Sequence, residues 1–369
     1  MKRTDFSVDW LFAACAPDTE LLPWNAQFTP VDLPHDWQIR HADDLYRDGT
    51  LFYRKYFFVT DVPGTRRMLW FGGAYMDTTV FVNGTEVGQW KYGYTSFWFD
   101  ITDALHEGQN EVLVRCNLRH PNSRWYSGAG LYRNVELWEA PDLHLMPDGL
   151  YVAAKEGDNG AWTVAVTAEA GSVTAASAGH TLTLHLTDDN DSLLGTASIP
   201  ADAWAALPSP DGWRTGKETA IYKASHTFTL QDPALWDLDA PNFYHITAEL
   251  TGADGVTDTL TTRFGCRTIE ATPDCGLLVN HKRVLIKGVC IHHDFGCLGS
   301  AFEYSAAKRQ LEILKSMGVN SIRTGHTPPA PQFMDLADEM GILMDVESFD
   351  CWRSGKNPYD YGRFFDEWQ

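Results

Sequence analysis

Residues Val319–Asp350 read VNSIRTGHTPPAPQFMDLADEMGILMDVESFD, and the alternation of apolar and polar residues in this stretch decides the fold. Val319–Thr324 is a short apolar run of strand character. Pro328, Pro329 and Pro331 then break the chain, because proline fixes φ and lacks a backbone N–H. Phe333, Leu336, Ala337 and Met340 fall on one face of a helix. Gly341 ends it, since glycine tolerates the left-handed backbone of a C-terminal cap. Ile342–Val346 is a second strand. Upstream, Val284–Ile291 is a near-continuous apolar strand. A helix follows from roughly Phe302 to Met317, with Ala307, Leu311, Leu314 and Met317 on one face and Gly318 as its stop. The order is βαβαβ, which implies parallel strands joined by right-handed crossovers.

An open doubly wound sheet and a (β/α)8 barrel share that order. The polar residues favour the barrel. His292, His293 and Asp294 follow the first strand, Arg323 and His326 the second, Glu347 and Asp350 the third. All lie at C-terminal strand ends, where such barrels collect their functional groups. No glycine-rich phosphate loop follows any of these strands.

Residues 1–141 alternate short aromatic and β-branched runs with turns, as in Leu51–Val59, Thr78–Val82 and Glu111–Cys116. They read as an all-β, jelly-roll-like sandwich. Asn83-Gly84 between two such runs is a type I′ hairpin signal, because both turn positions need positive φ. Residues 142–270 carry cleaner alternation, in Trp162–Thr167, Thr181–Leu186, His226–Leu230 and Tyr244–Leu250, and read as an immunoglobulin-like β-sandwich. The Gly/Ala/Ser-rich stretch Ala170–Gly179 is expected to be a surface loop. Residues 271–369 are then the first βαβαβ part of a TIM (β/α)8 barrel, incomplete at about three of eight strands.

The formal charge of -20, from 29 basic and 49 acidic residues, repels phosphate backbones and anionic membrane surfaces. No nucleic-acid or membrane partner is expected. The start MKRTDFSVDW has no apolar secretory core, and no window approaches the ~20 apolar residues of a membrane span. Seven scattered cysteines fit a reduced compartment better than a disulfide framework, so a cytoplasmic location is expected.

Several segments together resemble glycoside hydrolase family 2. KGVCIHHDFGCLGSAF (Lys287 to Phe302), the Leu314 to Trp352 stretch and KNPYDYGRFFDEW (Lys356 to Trp368) resemble the start of its catalytic barrel. LPHDW (Leu33 to Trp37), Gly93 to Thr102 and NSRWYSGAGLYRNVEL (Asn122 to Leu137) resemble its sugar-binding domain. LWDLDAPNFY (Leu235 to Tyr244) and RFGCRTIE (Arg263 to Glu270) resemble its sandwich domain. The resemblance implies retaining hydrolysis of a terminal β-glycoside, with β-galactosides as the expected substrate and β-glucuronides or β-mannosides as alternatives. A non-catalytic carbohydrate-binding fragment is the competing reading.

That chemistry needs two carboxyl groups about 5–5.5 Å apart. In the family both are glutamates on later strands, the acid/base following an Asn-Glu motif. Asn110-Glu111 lies in the first β-domain, at the entry to a strand, so no catalytic acid or nucleophile is assigned within Met1–Gln369, and the chain alone is expected to be inactive. The resemblance assigns sugar contacts instead. Arg323 and His326 match the family's Arg-Thr-x-His turn, with Gly325 in place of the usual Ser, and Glu347 matches its third-strand glutamate. His293 with Asp294 is expected to line the sugar pocket, and Trp125, Tyr126 and Tyr132 to supply rings on which a sugar stacks. Ordinary packing is the alternative for each. Asp350 and Trp352 are weaker candidates.

Cys290 and Cys297 near the two histidines lack Cys-x-x-Cys or His-x-x-x-His spacing, so no metal is assigned. Magnesium or sodium is expected only in the complete enzyme. A homo-oligomer, or a complementing C-terminal chain that closes the barrel, is the expected protein partner.

Overall fold

The computed structural model describes residues 1–41, 43–60, 64–175, 177–207, 217–253, 255–351 and 353–365. Trp352 falls outside them.

The first domain packs a six-stranded antiparallel sheet on a four-stranded one. The larger runs in the order Thr29–Val31, Trp10–Cys15, Gly49–Val59, Gly108–Leu118, Thr78–Val82, Thr85–Trp90. The smaller runs Lys2–Asp5, Val135–Ala140, Arg66–Phe71, Phe97–Asp100. Strict alternation explains which side chains go inside: in Gly108–Leu118 the buried residues are Asn110, Val112, Val114, Cys116 and Leu118. Val112, Val114, Cys116 and Leu118 meet Tyr53, Leu69 and Phe71 in one core, each large apolar side chain contributing about 1.5–3 kcal/mol. The Asn83-Gly84 turn has φ of 50° and 80°, as the hairpin signal requires.

The second domain is a two-sheet sandwich. His144–Glu156, Ala161–Ser172, Ala220–Gln231 and Ala205–Leu207 form one sheet, and Leu193–Pro200, Thr181–Asp188, Tyr244–Gly252 and Gly255–Phe264 the other. Here the sequence reading needs a correction. Ala170, Gly171 and Ser172 are not loop but the end of a strand, paired with Tyr222, Ile221 and Ala220. Small side chains are required there: a Cβ on Gly171 would lie 2.4 Å from Met146 Sδ.

The barrel segment has three parallel strands, Gly288–Ile291, Ser321–Thr324 and Leu343–Val346, alternating with helices Tyr304–Ser316 and Pro331–Glu339. Ile322 is buried against Ala307, Leu311, Phe333 and Leu336 of the helices. Cys290, Arg323 and Asp345 stand in register on the opposite, inner face. Two expectations fail at the edges of this unit. Val284–Lys287 is not strand: the Asn320 side chain holds two of its backbone groups, Nδ2 donating to Leu285 O (3.0 Å) and Oδ1 accepting from Lys287 N (2.8 Å), while Val284 N bonds Leu277 O (2.9 Å). The ladder therefore starts at Gly288 opposite Ser321. Met317 leaves the buried helix face and is 72% exposed, since it caps the helix beyond its last full turn.

Candidate functional site

The parallel ladder sets the geometry. Arg323 is the last inward-facing residue of the middle strand, and Glu347 follows the end of the third strand, so the two meet at the C-terminal rim of the sheet. The Arg323 guanidinium forms a short ion pair with Glu347 Oε1. Glu347 Oε2 lies 2.7 Å from His326 Nδ1, and Arg323 Nη2 stands 3.4 Å from the same nitrogen. Thr324 Oγ1 accepts from the Glu347 backbone N–H at 3.2 Å, fixing the base of the side chain. Arg323, His326 and Glu347 are thus brought together as one charged group.

Trp125 reaches this group from the first domain. Its indole stacks on His292 (centroids 5.8 Å, planes 10° apart) and stands against His326 at 5.4 Å. His292, and not His293, is the histidine on this side. Adjacent residues at a strand end project oppositely, and the His293 ring turns toward the first domain, where Nε2 bonds Ser127 O at 2.9 Å beside Tyr94 and Tyr132. Burial drives its pKa down to about 4, helped by Arg133 and opposed by the Ser127 carbonyl, so at neutral pH it is an uncharged packing group. Asp294 faces another depression, shared with Arg309 and Gln310 of the first barrel helix.

Tyr126 is also drawn away from the rim. Its hydroxyl donates to Asp36 Oδ2 at 2.6 Å, and burial with the neighbouring carboxylate raises its pKa well above the ordinary phenol value. Asp36, 3% exposed, accepts further bonds from Gln38 N (2.9 Å), Ala129 N (3.1 Å), Ser300 N (2.8 Å) and Ser300 Oγ (3.0 Å). It ties the Trp125 loop to the loop after the first barrel strand. Glycines make room: a Cβ on Gly128 would fall 1.8 Å from Ser300 Oγ, and one on Gly299 2.3 Å from Asp36 Oδ2. Tyr132 is buried too, its hydroxyl bonded to Gly93 O at 2.8 Å.

Arg133 works as a second tie. It is 2% exposed, with Nη1 donating to Gly72 O and Tyr94 O (both 3.0 Å) and Nη2 to Pro328 O (3.2 Å). On the other flank Asp350 pairs with Arg124 and, at 2.8 Å, with Lys356. Burial pushes the Asp350 carboxyl up, but the bonds from Lys356 and Arg124 outweigh it and hold the pKa below the usual carboxylate range. The segments LPHDW and NSRWYSGAGLYRNVEL contain Asp36, Arg124 and Arg133, but nothing in the sequence shows which residues they meet.

Three family models match in chain order: the sugar binding domain of glycosyl hydrolases family 2 over residues 23–141, glycosyl hydrolases family 2 over 148–267, and its TIM barrel domain over 271–358. The chain belongs to glycoside hydrolase family 2. Among family 2 relatives, a β-galactosidase of Bacteroides ovatus is 35% identical across 100% of this chain and 43% of its own length. A β-glucuronidase of Bacteroides fragilis is 27% identical over 88% of this chain and 48% of its own. A family 2 glycosyl hydrolase structure from Bacteroides cellulosilyticus superposes with a TM-score of 0.85 at 27% identity, covering 100% of this chain and 48% of that one. A β-glycosidase from Bacteroides vulgatus does so with TM-score 0.85 at 28% identity, covering 100% and 47%. This family 2 chain therefore spans less than half the length of these relatives.

Glu347 Oε1 is bonded to Arg323 and Oε2 to His326. Among the described residues no three His, Cys, Asp or Glu side chains converge as a metal ligand set.

Proposed function

We propose that this chain supplies the glycone-gripping half of a β-galactosidase site, with hydrolysis completed by carboxylates on barrel strands outside residues 1–369. The observation that carries this reading is the Arg323–Glu347–His326 group beneath Trp125 at the C-terminal strand ends. Each Glu347 oxygen makes one bond within the group, to Arg323 or to His326, and keeps a further lone pair for a sugar hydroxyl. We assign Glu347 as a hydroxyl acceptor and not one of the reacting pair. Trp125 is buried, with its face stacked on His292 and its ring against His326, so it fixes both imidazoles at the rim and does not offer a free face to the sugar.

A neutral galactoside is the glycone we propose; the three cations on this side of the site, Arg323, Arg124 and Lys356, are paired with Glu347 or Asp350. The likeness to the Bacteroides ovatus β-galactosidase supports the same choice.

The test is hydrolysis of p-nitrophenyl β-D-galactopyranoside and β-D-glucuronide by a polypeptide continued through a closed barrel, beside the 369-residue chain. The reading expects galactoside turnover by the former and none by the latter. Cleavage of the glucuronide alone would overturn the sugar assignment, and turnover by the short chain that Glu347→Gln abolishes would overturn the role given to Glu347.

A further inference from the structure

The turn after the second barrel strand carries His326 between two pins. At one end Gly325 N donates to Ile291 O of the first strand at 2.8 Å. At the other, Pro328 O accepts from Arg133 Nη2 of the first domain at 3.2 Å. Pro328 and Pro329 have no N–H to give, so carbonyls are all that their backbone offers a partner. Among the described residues, Pro328 O is the one backbone group of residues 326–329 that is hydrogen-bonded within the chain. The neighbours of Arg133 reach the barrel as well: Tyr132 O accepts from Phe302 N at 2.9 Å, and Asn134 Oδ1 from Gln332 Nε2 at 3.4 Å.

An arginine is a costly choice for this place. Its guanidinium is buried, and among the described residues no carboxylate pairs with it; the groups nearby are the Tyr132, Tyr92 and Tyr94 phenols and the uncharged His293 ring. An ion buried without a counter-ion loses hydration that packing alone does not return. What a planar fork supplies is simultaneous reach. Nη1 spans Gly72 O and Tyr94 O, on two loops of the first domain, while Nη2 crosses to Pro328 O. Gly72 and Gly73 keep the path of the stem clear, since a Cβ on either would lie 3.0 Å from a side-chain carbon of Arg133.

We propose that Arg133 is a positioning residue for the sugar grip: by holding the Pro328 carbonyl it sets the turn that aims His326 at Glu347, so that galactoside affinity depends on the docking of the first domain. Arg133 touches no sugar, being enclosed with its own three acceptors. The inference rests on the reading of Arg323, His326 and Glu347 as the glycone grip, and adds that the grip is set from another domain. With the Pro328 pin removed, the turn is held at Gly325 alone, and His326 Nδ1 no longer stays 2.7 Å from Glu347 Oε2. Glu347 then follows Arg323, and its acceptor for the sugar hydroxyl is misplaced.

NMR of the 369-residue chain tests this with two readouts: the nuclear Overhauser contact between the Trp125 and His326 rings, whose centroids are 5.4 Å apart, and the affinity for methyl β-D-galactopyranoside. The Trp125 loop is held separately, by Asp36 at Ala129 N, so the ring contact reports the turn. Arg133→Met should lose the contact and weaken galactoside binding about tenfold, the scale of one misplaced hydrogen bond. Arg133→Lys keeps the charge without the fork and should restore neither. Arg67→Met removes another buried arginine, one paired with Glu139 inside the first domain, and should change neither readout. Near-UV circular dichroism checks folding. Where Arg133→Met does not fold, Arg133→Lys decides; failure of both to fold would make Arg133 a folding residue and overturn the proposal. Contact and affinity retained together overturn it, as does loss of one without the other, or equal losses in Arg67→Met. A native chain that binds no galactoside sinks the grip reading instead, and the ring contact alone then decides whether Arg133 sets the turn.

Discussion

Replacing Asp36 by asparagine should uncouple the first domain from the barrel. The two carboxylate oxygens receive five donors, three of them backbone N–H groups. Asparagine has one acceptor oxygen, and its amide would face donors on the other side. If the oxygen keeps Ser300 and Tyr126, the N–H groups of Gln38 and Ala129 are stranded; if it keeps those two, Ser300 N is stranded and both hydroxyls must turn. A buried donor without a partner costs about 1–3 kcal/mol, and the bonds lost are charge-assisted. The expected loss is about 2–4 kcal/mol, against a typical total of about 5–15 kcal/mol. Amide hydrogen exchange is the assay, because it reads opening segment by segment. Protection should fall at Ala129 and Ser300 and stay unchanged in the second domain's core strand Ala161–Ser172. Unchanged exchange at Ser300, with a urea midpoint shifted by less than the equivalent of about 1 kcal/mol, would refute the role given to Asp36.

Gly128→Ala should be damaging through the same contact. The residue has φ +66° and its new Cβ would overlap Ser300 Oγ, so a loss of about 2 kcal/mol or more in urea unfolding is expected; an effect within about 0.5 kcal/mol contradicts the packing described. A pH dependence follows from His35 and His293, both lowered from 6.5 to about 4, chiefly by burial. Above 6.5 the rings are neutral whether folded or not; as pH falls from 6.5 toward 4 the unfolded chain binds protons that the folded chain refuses. Stability should therefore drop across that window by up to about 3 kcal/mol per ring and gain nothing further from them below it. Urea midpoints measured against pH should fall less steeply for His293→Gln, and an identical slope would contradict the assignment.

The sequence disclosed the architecture because its signals are local. The 3.6-residue spacing of Phe333, Leu336, Ala337 and Met340, the Asn83-Gly84 turn and the strand-end positions of Arg323, His326 and Glu347 all read out within a few residues of themselves. What it hid depends on distant partners. Asp36 meets Ser300 across 264 positions, and nothing near either residue announces the other. Tyr126 looked free to stack on a sugar because its claim by Asp36 is a tertiary fact. Choosing between His292 and His293 required knowing which face of the strand end meets the first domain, and alternation alone says only that the two differ. Val284–Lys287 looked like strand because it opens a mostly apolar run, yet the Asn320 side chain binds two of its backbone groups, at Leu285 and Lys287.

The most direct test of the account is saturation-transfer NMR of methyl β-D-galactopyranoside with the 369-residue chain, its Glu347→Gln variant and its Trp125→Ala variant. Transfer to the galactoside that both substitutions abolish is the predicted result. Equal transfer in all three proteins would mean that the group at the strand ends does not hold the sugar.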